Sequence, residues 1–217
     1  MLSNQSRRRL DPDRRQREIL QAALALFAER PADLVTVEEV AAAAGTSPGL
    51  VHHYFGSKNQ LAQVVLRATA DELVQTLRVD EAAPAAGQLT TGLTIYLDYL
   101  QAHPQSWTAL LRAGHSADDP TAAIAATVDD HAMAIAVQAV HPHGPPPAAL
   151  LIALRGWLAF VKDSCLRWLQ EAALERDTLE HLLSAAFLGA LQAAAIADDR
   201  AADALKRFIS GAPRREL

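Results

Sequence analysis

A single cysteine, Cys165, rules out a disulfide within this chain and suits a reducing compartment such as the cytoplasm. With no pairing or metal role in view, Cys165 reads as a small apolar residue buried on a helix. Aromatic residues are only 5% of the 217, and strand-forming stretches are scarce. No basic segment followed by an apolar stretch and a cleavage site opens the chain, so no signal peptide is expected. No uninterrupted apolar run is longer than that from Ala148 to Leu154, far short of the roughly 18 residues of a membrane helix, and no membrane partner is expected. No G-x-G-x-x-G, P-loop, H-E-x-x-H or G-x-S-x-G occurs, so nothing supports an enzyme. His131, His141 and His143 are near one another in sequence but have no cysteine or carboxylate set to complete a ligand shell, so neither metal nor cofactor is expected.

What is present is alanine- and leucine-rich helix. Half the residues are apolar, and the reading is all-α, with about nine or ten helices in an N-terminal three-helix head and a larger C-terminal bundle. The net charge of −5 argues by itself against a nucleic-acid partner. Its distribution reverses that reading: residues 1–17 carry Arg7, Arg8, Arg9, Arg14, Arg15 and Arg17 against Asp11 and Asp13, a local +4 that leaves −9 for the rest. A basic end on an acidic body is the asymmetry expected when one face meets phosphate. The expected organisation is a basic arm over 1–17, a DNA-binding unit over 13–60 and a second unit over 61–210.

The most specific stretch is residues 36–61, TVEEVAAAAGTSPGLVHHYFGSKNQL. Thr36 and Glu39 make a capping box at a helix start. Val37, Val40, Ala41 and Ala44 then fall on one face. Gly45 stands where a left-handed residue is needed. Ser47-Pro48 reopens a helix, serine as cap and proline in the first turn, with Val51 and Phe55 inward. Gly56 stops it, and Ser57 with Gln60 caps the next. Two short helices joined by a glycine turn are the layout of a helix-turn-helix. Ser47, Pro48, Gly49, His52 and His53 then lie off the buried face, with Tyr54 near the end. Ser47, Gly49 and His52 are the candidates for base edges, Pro48 accompanying them. His53, Tyr54, Lys58 and Thr36 are the candidates for phosphate, the last two at helix N-termini.

Residues Gln16 to Val65 resemble the DNA-binding domain of the TetR/AcrR family of transcriptional regulators. ILQAALALFAER, with Phe27, is similar to that family's first helix, and Tyr54, Phe55, Ser57, Lys58 and Leu61 match its Y-F-x-S-K-x-x-L signature. His52 departs from it, the family more often having tyrosine there. The resemblance implies a repressor that binds a palindromic operator as a dimer and is released by a small molecule held in the body.

The remaining helices are expected from just after Ser57 to about 79, at about 89–102, a short one ending near Gly114, then 120–140, 147–173 and 177 onward. Pro84 and Gly87 are read as a break, Asp119-Pro120 as a start, and Asp177 with Glu180 as a capping box. The helix over 147–173 is apolar nearly all round, and that beginning at 177 is similarly rich. A helix of that kind must be buried on more than one side, which predicts a two-fold, four-helix interface through Leu150, Leu154, Leu158, Val161, Leu179, Leu182, Leu183, Ala186, Phe187 and Ala190. An aromatic and polar mix, Tyr96, Tyr99, His103, Trp107, Arg112, Met133, Trp157 and Phe160, with His115 and His131, suits a mostly apolar or aromatic effector. The competing reading is a helical interaction protein controlled by a protein partner.

Overall fold

The computed structural model describes residues 12–112, 120–171 and 174–210. Those residues form ten α-helices: α1 (Pro12–Glu29), α2 (Val37–Ala43), α3 (Pro48–Phe55), α4 (Lys58–Thr76), α5 (Ala85–Ala102), α6 (Pro104–Arg112), α7 (Pro120–Val140), α8 (Ala148–Glu171), α9 (Arg176–Ala197) and α10 (Ala202–Ser210). Arg7, Arg8, Arg9, His115 and Asp119 lie outside the described residues.

Two apolar clusters organise the chain. The first gathers Ile19, Ala23 and Phe27 of α1, Val37, Val40 and Ala41 of α2, Val51 and Phe55 of α3, and Leu61 and Val65 of α4. The second begins at Ala70 and Leu73, further along α4, and runs through α5 to α10. One helix therefore supplies both clusters. Its junction is Thr69, buried, whose hydroxyl donates to the Val65 carbonyl at 3.0 Å and whose own carbonyl accepts from the Tyr99 hydroxyl at 2.9 Å.

α8 and α9 form the most extensive helix pair. Leu150, Leu154, Leu179, Leu183 and Leu191 are all but fully buried, each stabilising the fold by roughly 1.5–3 kcal/mol relative to exposure. The burial corrects the predicted interface. Leu150, Leu154, Val161, Leu179, Leu183 and Phe187 are covered by α5, α7 and α10 of their own chain, and Leu158, Ala186 and Ala190 are half-buried against the same core. Of the ten, Leu182 faces outward, 43% exposed. Both α8 and α9 are apolar on two faces, and the larger side chains mostly took the inner one. The outer one carries Ile152, Gly156, Ala159 and Phe160 on α8 and Leu182, Ala185, Gly189 and Ile196 on α9, all exposed.

Three boundaries also differ from the sequence reading. α5 starts at Ala85, because Pro84 is its cap residue rather than a break, and Gly87 sits inside the first turn. α4 ends at Thr76, short of 79. α9 starts at Arg176, and the Asp177–Glu180 box does not form. Glu180 instead accepts from Arg176 at 3.1 Å and from the Thr94 hydroxyl at 3.1 Å, and Arg176 also reaches Asp98 at 2.5 Å. A bridge to α5, remote in sequence, won over a local cap. α7 and α9 are long and apolar enough by mean hydropathy to cross a membrane, which the search for an uninterrupted run did not reveal. Both place their inner faces in the second cluster.

Candidate nucleic-acid interface and body cavity

The helix-turn-helix is built by its caps. At Thr36 the hydroxyl accepts from the Glu39 N–H at 3.2 Å, while the Glu39 carboxylate accepts from the Thr36 N–H at 2.8 Å. Arg30 closes the same carboxylate at 2.9 Å. The Thr36 N–H first, and then Arg30, hold the Glu39 carboxyl below the usual range. This cap is intact above the ordinary glutamate pKa and is lost as pH falls through the lowered one. Gly45 takes φ +59°, and the Thr46 N–H returns to the Ala41 carbonyl at 2.8 Å, which turns the chain from α2 into α3.

On α3, Val51 and Phe55 are buried, while Ser47, Pro48, Gly49, His52 and His53 are exposed on the outward face. A Cβ added at Gly49 would meet nothing within 4 Å, so the backbone there is open to a close approach. Ser47 caps the helix, its hydroxyl accepting from the Leu50 N–H at 3.4 Å. Tyr54 is half-buried against the first cluster, with His53 edge-on at 5.3 Å between ring centroids. His52 Nδ1 lies 2.7 Å from the Gly56 carbonyl. Since a carbonyl only accepts, Nδ1 carries the proton of that bond, and Nε2 points away from it.

Lys58 has a partner the sequence did not suggest. Its Nζ donates to the Asp33 carbonyl at 2.7 Å, tying the start of α4 to the connection between α1 and α2. Two of its three donor positions remain for another acceptor. Arg14 and Arg15 both meet Glu18 at 3.0 Å, on the first turns of α1.

The body holds a cavity of about 80 Å³, partly open to solvent, between α5, α7, α8 and α9 and the residue after α4, Leu77. Its wall is mainly Leu, Val, Ile and Ala, with Tyr96, Trp157 and Phe187 as rings. A second, much smaller void of about 20 Å³ adjoins it and shares Tyr96, Val128, Asp129 and Lys162. Asp129 and Lys162 form an ion pair at 2.6 Å.

Of the predicted effector residues, Tyr96 and Trp157 line the cavity and Trp107 lines the smaller void. Tyr99 and His103 stack at 4.2 Å instead, against α4, where the Tyr99 hydroxyl meets Thr69 and Glu72, and burial pushes that hydroxyl's pKa up. Met133 packs on the core, His131 bonds the Leu77 carbonyl at 3.2 Å, Phe160 is exposed on α8, and Arg112 ends α6. Sequence reasoning missed Asp129 and Lys162, whose pairing across 33 positions leaves no local signal. Cys165 is buried, which pushes its thiol up to about 12 and leaves it protonated and inert.

Comparison with known proteins agrees with the two-cluster division. The family model for bacterial regulatory proteins of the tetR family matches residues 19–65, and one for the tetracyclin repressor-like C-terminal domain matches residues 85–190. The HTH-type transcriptional regulator BetI of Brucella anthropi is 43% identical over 63 residues, 29% of this chain and 32% of that protein. The chain thus matches about a third of the length of such curated relatives. Across nearly the whole chain it is similar to a tetR-family regulator from Streptomyces coelicolor, with TM-score 0.86, 27% identity, and coverage of 94% of this chain and 91% of that one. A TetR regulator from Rhodococcus sp. RHA1 shares the fold at TM-score 0.60 and 23% identity, over 83% and 98% of the two chains.

Proposed function

The chain belongs to the TetR family of bacterial transcriptional regulators, with a DNA-binding helix-turn-helix, and from that premise we propose that it is a repressor. Two copies hold a palindromic operator, and a small, mostly apolar effector in the body cavity releases them. The observation that carries this reading is α4. Leu61 and Val65 anchor its first half in the head, Ala70 and Leu73 anchor its second half in the body, and Leu77 just beyond it forms part of the cavity wall. An effector that pushes the wall toward α7 acts on the same rigid element that carries the head. It must bind the released arrangement more tightly than the DNA-bound one, since equal affinity for both would move nothing. A cavity lined mainly by apolar side chains inside the helical body fits a small molecule better than it fits a protein partner.

A lone head spans only a few base pairs, so two copies related by a two-fold, with α3 of each in successive major grooves about 34–36 Å apart, make the operator-binding unit. The exposed apolar stripe of α8 and α9 is the surface that pairs them. In the groove, Ser47, Pro48, Gly49 and His52 face base edges, and Thr36, His53, Tyr54 and Lys58 face phosphate. With Nδ1 committed to Gly56, the Nε2 of His52 is the ring atom left to meet a base edge; in the neutral ring it is an acceptor, which selects a base donor, adenine N6 or cytosine N4, over guanine.

Gel-shift titration on DNA flanking the chain's own gene, over a salt series, tests the assignment. His52→Ala should cost about 1–3 kcal/mol at one base position and relax the choice there. Lys58→Ala should weaken binding to all sequences and lower the salt slope by about one. The slope separates the two roles of Lys58, because losing only the tether to Asp33 would lower affinity without changing it. Unaltered operator affinity in both variants would sink the interface.

A further inference from the structure

Trp107 is 2% exposed, and its Nε1 has no hydrogen-bond partner. The chain's other indoles are satisfied: Trp157 donates to the Leu183 carbonyl at 3.0 Å and Trp168 to the Leu174 carbonyl at 2.9 Å. The unpaired indole belongs to the wall of the smaller void, and Tyr96, edge-on to it at 5.9 Å between centroids, lines that void and the main cavity alike. The wall shared by the two spaces carries Tyr96 and the Asp129–Lys162 pair, and the unpaired indole adds an N–H on the side of the smaller void, in an otherwise apolar lining. Buried polar groups without partners are rare, and a donor on the wall of a void marks the place of an acceptor atom, which a water or a ligand oxygen can supply.

We propose that this junction is the polar anchor of the effector site, and that it takes a neutral carbonyl oxygen (ketone, ester or amide) at one end of an apolar molecule whose remainder fills the main cavity. The proposal rests on the reading of that cavity as the effector site. Three arguments select the group. An indole N–H only donates, so its partner is an acceptor. The Tyr96 hydroxyl stays protonated, chiefly because burial disfavours its anion, and can donate to the same oxygen. Lys162 is already neutralised by Asp129 at 2.6 Å, so the junction has no net charge to offer an anion, and a carboxylate would meet Asp129 as well.

Valerophenone and pentylbenzene differ by a carbonyl in place of a methylene, and 5-phenylvalerate supplies an anion of similar size. Their affinities for the full-length chain can be measured by thermal-shift titration. A purely apolar cavity would prefer pentylbenzene by about tenfold, because a carbonyl buried without donors gives up its bonds to water. The anchor should reverse that order, with phenylvalerate weaker than valerophenone. Tyr96→Phe and Trp107→Phe should each lower the valerophenone-to-pentylbenzene affinity ratio about three- to tenfold; a ratio within one variant does not depend on its stability. Pentylbenzene binding more tightly in the wild type, phenylvalerate binding most tightly, or a ratio unchanged in both variants would overturn the anchor and leave the cavity reading standing. If none of the three probes binds, both fall.

Discussion

Gly189→Arg should abolish tight operator binding while leaving the chain folded. Gly189 lies on the outward face of α9, exposed, and a side chain built there meets nothing within 4 Å of its own chain. The arginine therefore costs the single chain little beyond ordinary surface effects, and it replaces a good deal of glycine's helix penalty. Its consequence falls on pairing. Gly156 and Ala159 of α8 and Ala185 and Gly189 of α9 are small, and they are flanked by Ile152, Phe160, Leu182 and Ile196. Two copies can bring such helices close only where side chains are short, and a guanidinium at that point would be buried without a partner. Losing the link between two heads removes the avidity term, on the order of 10²–10⁴ in affinity. Light scattering should find a monomer, circular dichroism a native helix content, and gel shift at least a hundredfold weaker binding. A dimer of wild-type affinity would reassign the interface away from this stripe.

The choice between the two faces of α8 and α9 also marks where the sequence stopped being informative. Local devices were readable. The Thr36–Glu39 and Ser57–Gln60 boxes form as expected, Gly45 takes the left-handed turn, and Val51 and Phe55 point inward, because each is decided by residues within a few positions. Non-local choices were not readable. Periodicity marked α8 and α9 as apolar on more than one side but could not say which side its own chain would cover. The start of α9 was set by Arg176 reaching across to Asp98 and Thr94 of α5. Lys58, read as a phosphate contact, also spans to the Asp33 carbonyl. The aromatic residues of α5 to α8 were the right region for the cavity, yet they divided by helix face: Tyr96 to its wall, and Tyr99, three positions on, to the seam with α4.

Phe187→Ala separates the two faces by a different measurement, because Phe187 was first read as an interface residue and is in fact enclosed by its own chain. It is 1% exposed, edge-on to Trp157 at 4.8 Å and tilted against Phe208 of α10 at 5.2 Å. Truncation removes the ring's burial and both ring contacts and enlarges a cavity that Phe187 already lines, so the neighbouring side chains have little reason to close the gap. Such a change costs about 3–5 kcal/mol. At 217 residues that lowers the melting midpoint by roughly 10 °C. The concentration dependence is the sharper readout. A residue buried between two copies would, when truncated, weaken association and make the midpoint more sensitive to protein concentration. A residue buried inside each copy lowers the midpoint by the same amount at every concentration and leaves operator affinity near wild type below the transition. Parallel melting curves across a hundredfold dilution series are therefore expected for Phe187→Ala. A steeper concentration dependence than wild type, or a midpoint lowered by less than about 2 °C, would return Phe187 to the interface and with it the inner face of α9.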